Sequence, residues 1–221
     1  MNPLTSPLQS THIAANSTIN VLAQARRSLS AVVLHTSEER LLVSHLREQT
    51  DYKSEYLLDP GLAMLEERKD DLGMVMALML NEEPIATIRF IPSGHELTLT
   101  ERYWPDMVTD PAILGAGSWE VGRLVMAPEH RQSNLLHPSL ALALRELLKR
   151  RVVKHLHASC LTRMTRLYRR FGFQVHAQRN RDRLDCALIH APVGTAIKAF
   201  KLDAQANAYT PWSCAQGPLL Q

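Results

Sequence analysis

Cysteine is scarce in this 221-residue chain: Cys160, Cys186 and Cys214 are scattered, odd in number and outside any CxxC or metal-ligand spacing. That excludes a disulfide scaffold and fits a reducing compartment. Aromatic residues make up only 5% of the chain. No stretch approaches the roughly 20 apolar residues of a membrane-spanning helix. The opening MNPLTSPLQSTHIAANS lacks the basic start and apolar run of a secretion signal. A cytoplasmic protein is therefore expected. There is no internal repeat and no low-complexity run. What is present, 45% hydrophobic and 21% charged residues, suits one large globular domain. The expected organisation is an N-terminal extension over 1–28, partly disordered or helical, a domain over 29–203, and a tail over 204–221.

Charge is divided unevenly. Residues 1–122 hold 9 Lys/Arg against 17 Asp/Glu, whereas residues 123–183 hold 14 against 3. A block with an excess of 11 positive charges favours an anionic partner over a neutral one. Nucleic acid is an unlikely partner, because Tyr168, Phe171 and Phe173 are the only aromatics in the block and base stacking needs more of them. A phosphorylated cofactor or an acidic carrier protein fits better; a merely solvated helix face is the bland alternative.

Hydrophobic periodicity predicts the order β-α-(α)-β-β-loop-β-α-β-α-β-β, a mixed α/β domain around a central sheet. Strands are expected over 29–36, 73–80, 84–91, 118–127, 152–161, 173–178 and 183–190. Asn16-Ser17-Thr18 starts a helix running to about Ser30, and Thr36-Ser37-Glu38-Glu39 has the pattern of a capping box. Residues 50–72 read as a charged loop with a short helix, and 92–118 as a long excursion of the kind often used for binding. Thr162 is expected to cap a helix that Gly172 ends.

The stretch VMAPEHRQSNLLHPSLALALRELL leads from a strand through a turn into a helix. This geometry aims free backbone N–H groups and the positive end of a helix dipole at the turn, which makes an anion site. About thirty residues later comes LYRRFGF, at 167–173. Together these segments resemble the GNAT superfamily of N-acyltransferases over roughly residues 30–190. The resemblance implies a mixed central sheet flanked by helices, with the turn cradling the phosphate of coenzyme A or of a carrier-bound phosphopantetheine. It makes Leu124, Val125 and Met126 the strand that pairs with pantetheine. Arg131, Ser133, Asn134 and Leu135 become the phosphate-binding turn, and Tyr168 the acid that reprotonates the leaving thiolate. The superfamily turn reads Arg/Gln-x-x-Gly-x-Gly/Ala, but this frame supplies Arg131, Asn134 and Leu136. A Cβ at both glycine sites crowds a diphosphate. The chain therefore either binds coenzyme A poorly or takes a donor without a nucleotide diphosphate.

ATIRFIPSG (86–94) followed by WEVGRLVMAP (119–128) is similar to the acyl-homoserine-lactone synthases and the long-chain N-acyl amino acid synthases within the same fold group. Their pattern implies substrate-binding roles for Arg89 and Arg123 and a base at Glu120. It also implies acyl carrier protein as donor partner, with acyl-coenzyme A as the other possible co-substrate and no permanently bound cofactor. The lactone synthases carry an aspartate pair in the N-terminal third, matched here by Asp70-Asp71, so that Asp71 is a substrate-binding candidate. Residues 30–72 hold only Tyr52 and Tyr56 as aromatics, which points away from S-adenosylmethionine and toward N-acylation of an amino acid or other small amine. Two other readings stand beside this one: an acetyl-coenzyme A N-acetyltransferase, and a catalytically silent binding module acting through its basic face.

Strand alternation sets Glu120 and Arg123 on opposite faces unless a β-bulge near Gly122 intervenes; a structural ion pair between them is the plain alternative. No metal site is expected: His155 and His157 share a strand face without a third ligand, and His130 neighbours the phosphate turn. Cys160 reads as a core residue. Met74, Met76 and Met79 read as core filler or the wall of an acyl tunnel. The tail residues Tyr209, Pro211 and Trp212 either fold back or pack on a neighbour.

Overall fold

Residues two apart on a strand share a face, and the segment Met74–Leu80 obeys this on both sides. Met74, Met76 and Leu78 join one buried cluster, while Val75, Ala77 and Met79 join another. A strand apolar on both faces must lie inside a sheet covered on both sides. The computed structural model, which describes residues 28–49, 61–106, 110–181 and 184–202, has that arrangement.

All seven expected strands are present: β1 (Leu29–Leu34), β2 (Met74–Leu80), β3 (Glu83–Pro92), β4 (Ser118–Met126), β5 (His155–Leu161), β6 (Gln174–Arg181) and β7 (Leu184–Pro192). They form one sheet in the order β1-β2-β3-β4-β5-β7-β6. Neighbours run antiparallel except β4 and β5, which are parallel. Between them runs the crossover helix that parallel pairing requires. The β4–β5 pairing covers just Ser118–His155, Trp119–Leu156 and Glu120–His157. Beyond Glu120 the two strands follow different partners, β4 with β3 and β5 with β7. A crevice opens there.

The helices are α1 (Ser37–Arg40), α2 (Ser44–Glu48), α3 (Leu62–Leu72), α4 (Leu99–Tyr103), α5 (Pro111–Leu114), α6 (Leu136–Arg150), α7 (Thr165–Arg169) and α8 (Val193–Ala199). Thr36 caps α1 in a full capping box with Glu39. The amphipathic α6 buries Leu140, Ala143, Leu144, Leu147 and Leu148 against Met74, Met76, Ile88 and Phe90. On the opposite face of the sheet, Val43 and Leu46 pack with Leu34, Val75 and Val125, and α3 crosses β3. Gly73 links α3 to β2 where nothing larger fits: a Cβ there would meet the carbonyl oxygens of Lys69 and Phe90 at 2.7 Å.

Several local expectations change. The β2–β3 connection is a two-residue turn, with Leu80 opposite Glu83. Asn81 and Glu82 both have positive φ, 51° and 73°, the signature of a primed hairpin turn. The 92–118 excursion is structured by α4 and α5 instead of forming a long loop. Thr162 begins a short 3-10 turn and does not cap α7, whose first residue follows Met164. Arg179, Asn180 and Arg181 extend β6 into what reads as a turn, because each finds a ladder partner on β7. The helix expected over 16–30 gives way to β1 at Leu29, and the rest of it before residue 28, the aromatics Tyr52 and Tyr56, Cys214 and the tail lie outside the described residues.

Candidate active site

The bulge expected near Gly122 is present. Thr87 pairs with Val125 but Arg89 with Gly122, so β4 carries one residue more than β3 across this interval. Arg123 takes the positive φ of 52° that absorbs it. The extra residue turns Arg123 to the face that already holds Arg89 and Glu120. The ion pair between Glu120 and Arg123 does not form, because each has a different partner.

Arg123 donates from Nε to Glu66 at 2.8 Å and approaches the same carboxylate through NH2 at 2.6 Å. Arg89, buried beneath α3, donates to Asp70 at 2.7 Å and to Glu66 at 3.0 Å. Asp70 also takes Arg47 from α2 at 2.5 Å. Lys69, 2% exposed, reaches Glu66 only at 3.7 Å. Glu66 and Asp70 are four apart and therefore share one face of α3. Burial works to raise both carboxyls, but the guanidiniums around them win and hold both below the usual carboxylate range. Burial lowers the Lys69 ammonium, with Glu66 opposing. Glu66 was missed in the sequence, and Asp70 was read only as the neighbour of Asp71. The signal was the spacing Glu66-x-x-x-Asp70 on a charged segment. Asp71 is displaced from this network: it points outward, 59% exposed on its side chain, pairs with Arg40 at 2.7 Å and lines a polar cleft of about 350 Å³ with Arg150 and Arg151.

Glu120 is held by the start of α4. Its Oε1 accepts the Leu99 N–H at 3.0 Å, and Oε2 accepts the Thr100 N–H and hydroxyl, both at 2.7 Å. Burial pushes the carboxyl above its ordinary value, with Thr100 and Leu99 pulling against it. A carboxyl raised in this way keeps its proton more readily than a solvated one. Next to it on β5 lies His157, fully buried between Thr100 and Ser93. Burial lowers its imidazole to about 3.

Tyr168 lies on the other face of the sheet. With Val121, Leu124, Leu144, Phe171 and Phe173 it lines an apolar cavity beside the split between β4 and β5, and its ring meets Phe173 edge-on at 6.0 Å. Leu124 faces this cavity, Met126 belongs to the same core, and Val125 packs on the opposite side. In the turn after β4, Arg131 donates from Nε to the Met126 carbonyl at 3.0 Å. Ser133 donates to the His130 carbonyl and accepts the Leu135 N–H at 3.4 Å. Asn134 is exposed. No side chain caps the N-terminus of α6, so its first amides face the turn as donors.

Burial pushes the Cys160 thiol up to about 11, which leaves little thiolate at neutral pH. His155 bonds His190 ring to ring at 3.0 Å. Among the described residues no group of three His, Cys, Asp or Glu is placed to hold a metal, and no helix is long and apolar enough to cross a membrane.

A mixed seven-stranded sheet that splits beside a bulged central strand, flanked by helices, is the GNAT-like acyltransferase fold, related to that of the acyl-homoserine-lactone synthases. Residues 43–192 match the N-acyl amino acid synthase FeeM family, and the chain belongs to that family. Among solved structures, FeeM, an N-acyl amino acid synthase from uncultured soil microbes, superposes with a TM-score of 0.61 at 17% identity, covering 80% of this chain and 99% of that one. The coenzyme A-dependent acyl-homoserine lactone synthase BjaI, solved with SAM and isopentyl-CoA, gives 0.57 at 13% identity over 80% and 91%. TofI, solved with an inhibitor and MTA, gives 0.55 at 17% over 81% and 99%. No curated protein sequence matches the chain. The protein is an acyltransferase enzyme with N-acyltransferase activity.

Proposed function

We propose that this enzyme transfers a fatty acyl group from the phosphopantetheine of acyl carrier protein to the amine of an amino acid. The observation that carries the reading is the contrast across the split sheet: an apolar cavity on the α6 side and a buried ionic cluster on the α3 side. The acyl chain enters on the apolar side, where the cavity, about 30 Å³ as it stands, must widen between α6 and the sheet to hold it. The cluster counts four cations, Arg47, Lys69, Arg89 and Arg123, against three carboxylates, Glu66, Asp70 and Glu120. That surplus suits an acceptor bearing a carboxylate. Arg89 and Arg123 are already engaged by Glu66 and Asp70, so they shape the acceptor site through these partners. Lys69, with the longest pairing distance, is the cation left to meet the acceptor carboxylate.

In this reaction Glu120 takes a proton from the substrate ammonium, directly or through one water. The free amine attacks the thioester carbonyl, a backbone N–H between Arg123 and Met126 holds the oxyanion, the C–S bond breaks as Tyr168 protonates the departing thiolate, and the second proton shed by the amide nitrogen returns through water to the Tyr168 phenolate. A pantetheine arm brings one phosphate, for which Arg131 and the first amides of α6 suffice. Because β4 and β5 run parallel, the turn after β4 and the helix after β5 lie at the same end of the sheet. Exposed Arg163, Arg166, Arg169 and Arg170 thus border the crevice mouth as a docking face for an acidic carrier.

The test is incubation of the purified enzyme with palmitoyl carrier protein, palmitoyl-coenzyme A or acetyl-coenzyme A, each with a panel of amino acids and simple amines, read by mass spectrometry. An N-palmitoyl amino acid formed fastest from the carrier protein is expected. Product from acetyl-coenzyme A alone overturns the reading in favour of a short-chain N-acetyltransferase.

A further inference from the structure

A chain of side chains joins three elements behind Glu120. The Thr100 hydroxyl reaches Glu120 Oε2 at 2.7 Å, His157 Nδ1 lies 3.0 Å from that same hydroxyl, and Ser93 Oγ lies 2.6 Å from His157 Nε2. Thr100 Oγ1 has one proton to give. When Glu120 is ionised that proton goes to the carboxylate, so Thr100 must accept from His157 Nδ1–H. Nε2 is then the acceptor of the Ser93 hydroxyl. The three groups have one consistent polarity, and each sets the next.

We propose that His157 is a positioning residue for Glu120: its neutral Nδ1–H tautomer, fixed by Ser93, commits the Thr100 hydroxyl to the Glu120 carboxylate and so tunes the proton affinity of the base. This deepens the proposed function, since it rests on Glu120 acting as base. The geometry supplies the reason for a histidine here. An imidazole presents a donor and an acceptor on opposite sides of one rigid ring, and it spans Thr100 on α4 and Ser93 at the end of β3. His157 is completely buried, where a cation would lack an adequate partner, and burial keeps the ring neutral. The charged and titratable groups facing the chain are Lys69 near Glu120, Arg89 and Arg123 around Lys69, and Glu101 and His190 around His157. All remain in every variant below.

Four variants separate the tuning role from simple packing. Thr100→Val removes the hydroxyl but keeps the backbone donor, and Thr100→Ser restores the hydroxyl. His157→Leu removes both ring contacts, and His157→Asn keeps a donor near the Nδ1 position. Two readouts are taken on the full chain: the Glu120 side-chain carboxyl titration by carbon-13 NMR, and the acid limb of kcat/KM against pH. Losing a donor to a carboxylate raises its pKa. In Thr100→Val, where the donor is gone, both readouts therefore move up by about one unit; in His157→Leu, where the hydroxyl stays but nothing commits it to the carboxylate, they move up by less, and Thr100→Ser and His157→Asn stay close to wild type. A Glu120 titration unchanged in His157→Leu overturns the proposal. A shifted titration with an unshifted rate profile upholds the proposal and fails the assignment of Glu120 as base. If His157→Leu does not fold, Ser93→Ala, which releases the ring to its other tautomer, must move the Glu120 titration in the same direction; no movement there overturns the proposal equally.

Discussion

The two faces of the sheet solve opposite problems. On the α6 side, Met76, Ile88, Phe90, Leu140 and Leu144 meet without a charge among them, and packing alone specifies the arrangement. On the α3 side, Arg89 and Glu120 are buried on strands, and each needs a partner from elsewhere: Glu66 and Asp70 for Arg89, Leu99 and Thr100 for Glu120. A buried charge with good partners adds little net stability, but one stripped of its partner is strongly destabilising. The apolar face thus tolerates adjustments of shape, and the polar face tolerates almost no deletion.

The most severe way to break this contrast is Asp70→Ala, which takes away the carboxylate that Arg47 holds and leaves Arg89 with Glu66 alone. It is expected to lower unfolding free energy by about 3–5 kcal/mol, measured by urea denaturation. Asp71→Ala, at the exposed neighbour, should change it by about 0.5 kcal/mol or less; equal effects at the two positions would abolish the distinction drawn here. On the apolar face, Leu144→Phe adds volume to the cavity wall at an expected cost of about 1–3 kcal/mol. It should also shift the product distribution toward shorter acyl chains, read by mass spectrometry with carriers of mixed length; an unchanged distribution removes this cavity as the chain's site. A further effect is in pH dependence. His157 stays neutral in the folded state down to about 3 but titrates near 6.5 when unfolded. The unfolded chain therefore binds more protons across that window, so stability is full above about pH 6.5 and falls as pH drops toward 3. The slope from this one group is at most about 1.4 kcal/mol per pH unit. Acid unfolding of His157→Asn, compared with wild type, should lack that contribution.

The strands were legible as short apolar runs bounded by turn residues, and the capping box at Thr36 and the bulge at Gly122 were legible from single residues with definite backbone preferences. The helix α3 was legible only as an unplaced short helix within a charged loop. Its buried face is made of Glu66, Lys69 and Asp70, so it has almost no apolar stripe, and a reading that follows hydrophobic period sees only a charged segment. The same blindness put the acidic pair at Asp70-Asp71, where adjacency in sequence is separation around a helix. The contact between Thr100 and His157 escaped notice for a different reason. They lie 57 residues apart and meet only because β5 pairs with β4 beside Glu120, a register that no local pattern announces.

Three residue pairs of parallel ladder hold the strands β1–β4 to the strands β5–β7. Each of those blocks is stitched internally by long antiparallel registers, so the seam between them is the weakest line in the sheet. Slight rotation about it would widen or narrow the opening beyond Glu120 and leave both blocks' ladders intact. The Glu120–His157 pair is the last rung of that seam, so the surroundings of Glu120 depend on how the two blocks are set against each other.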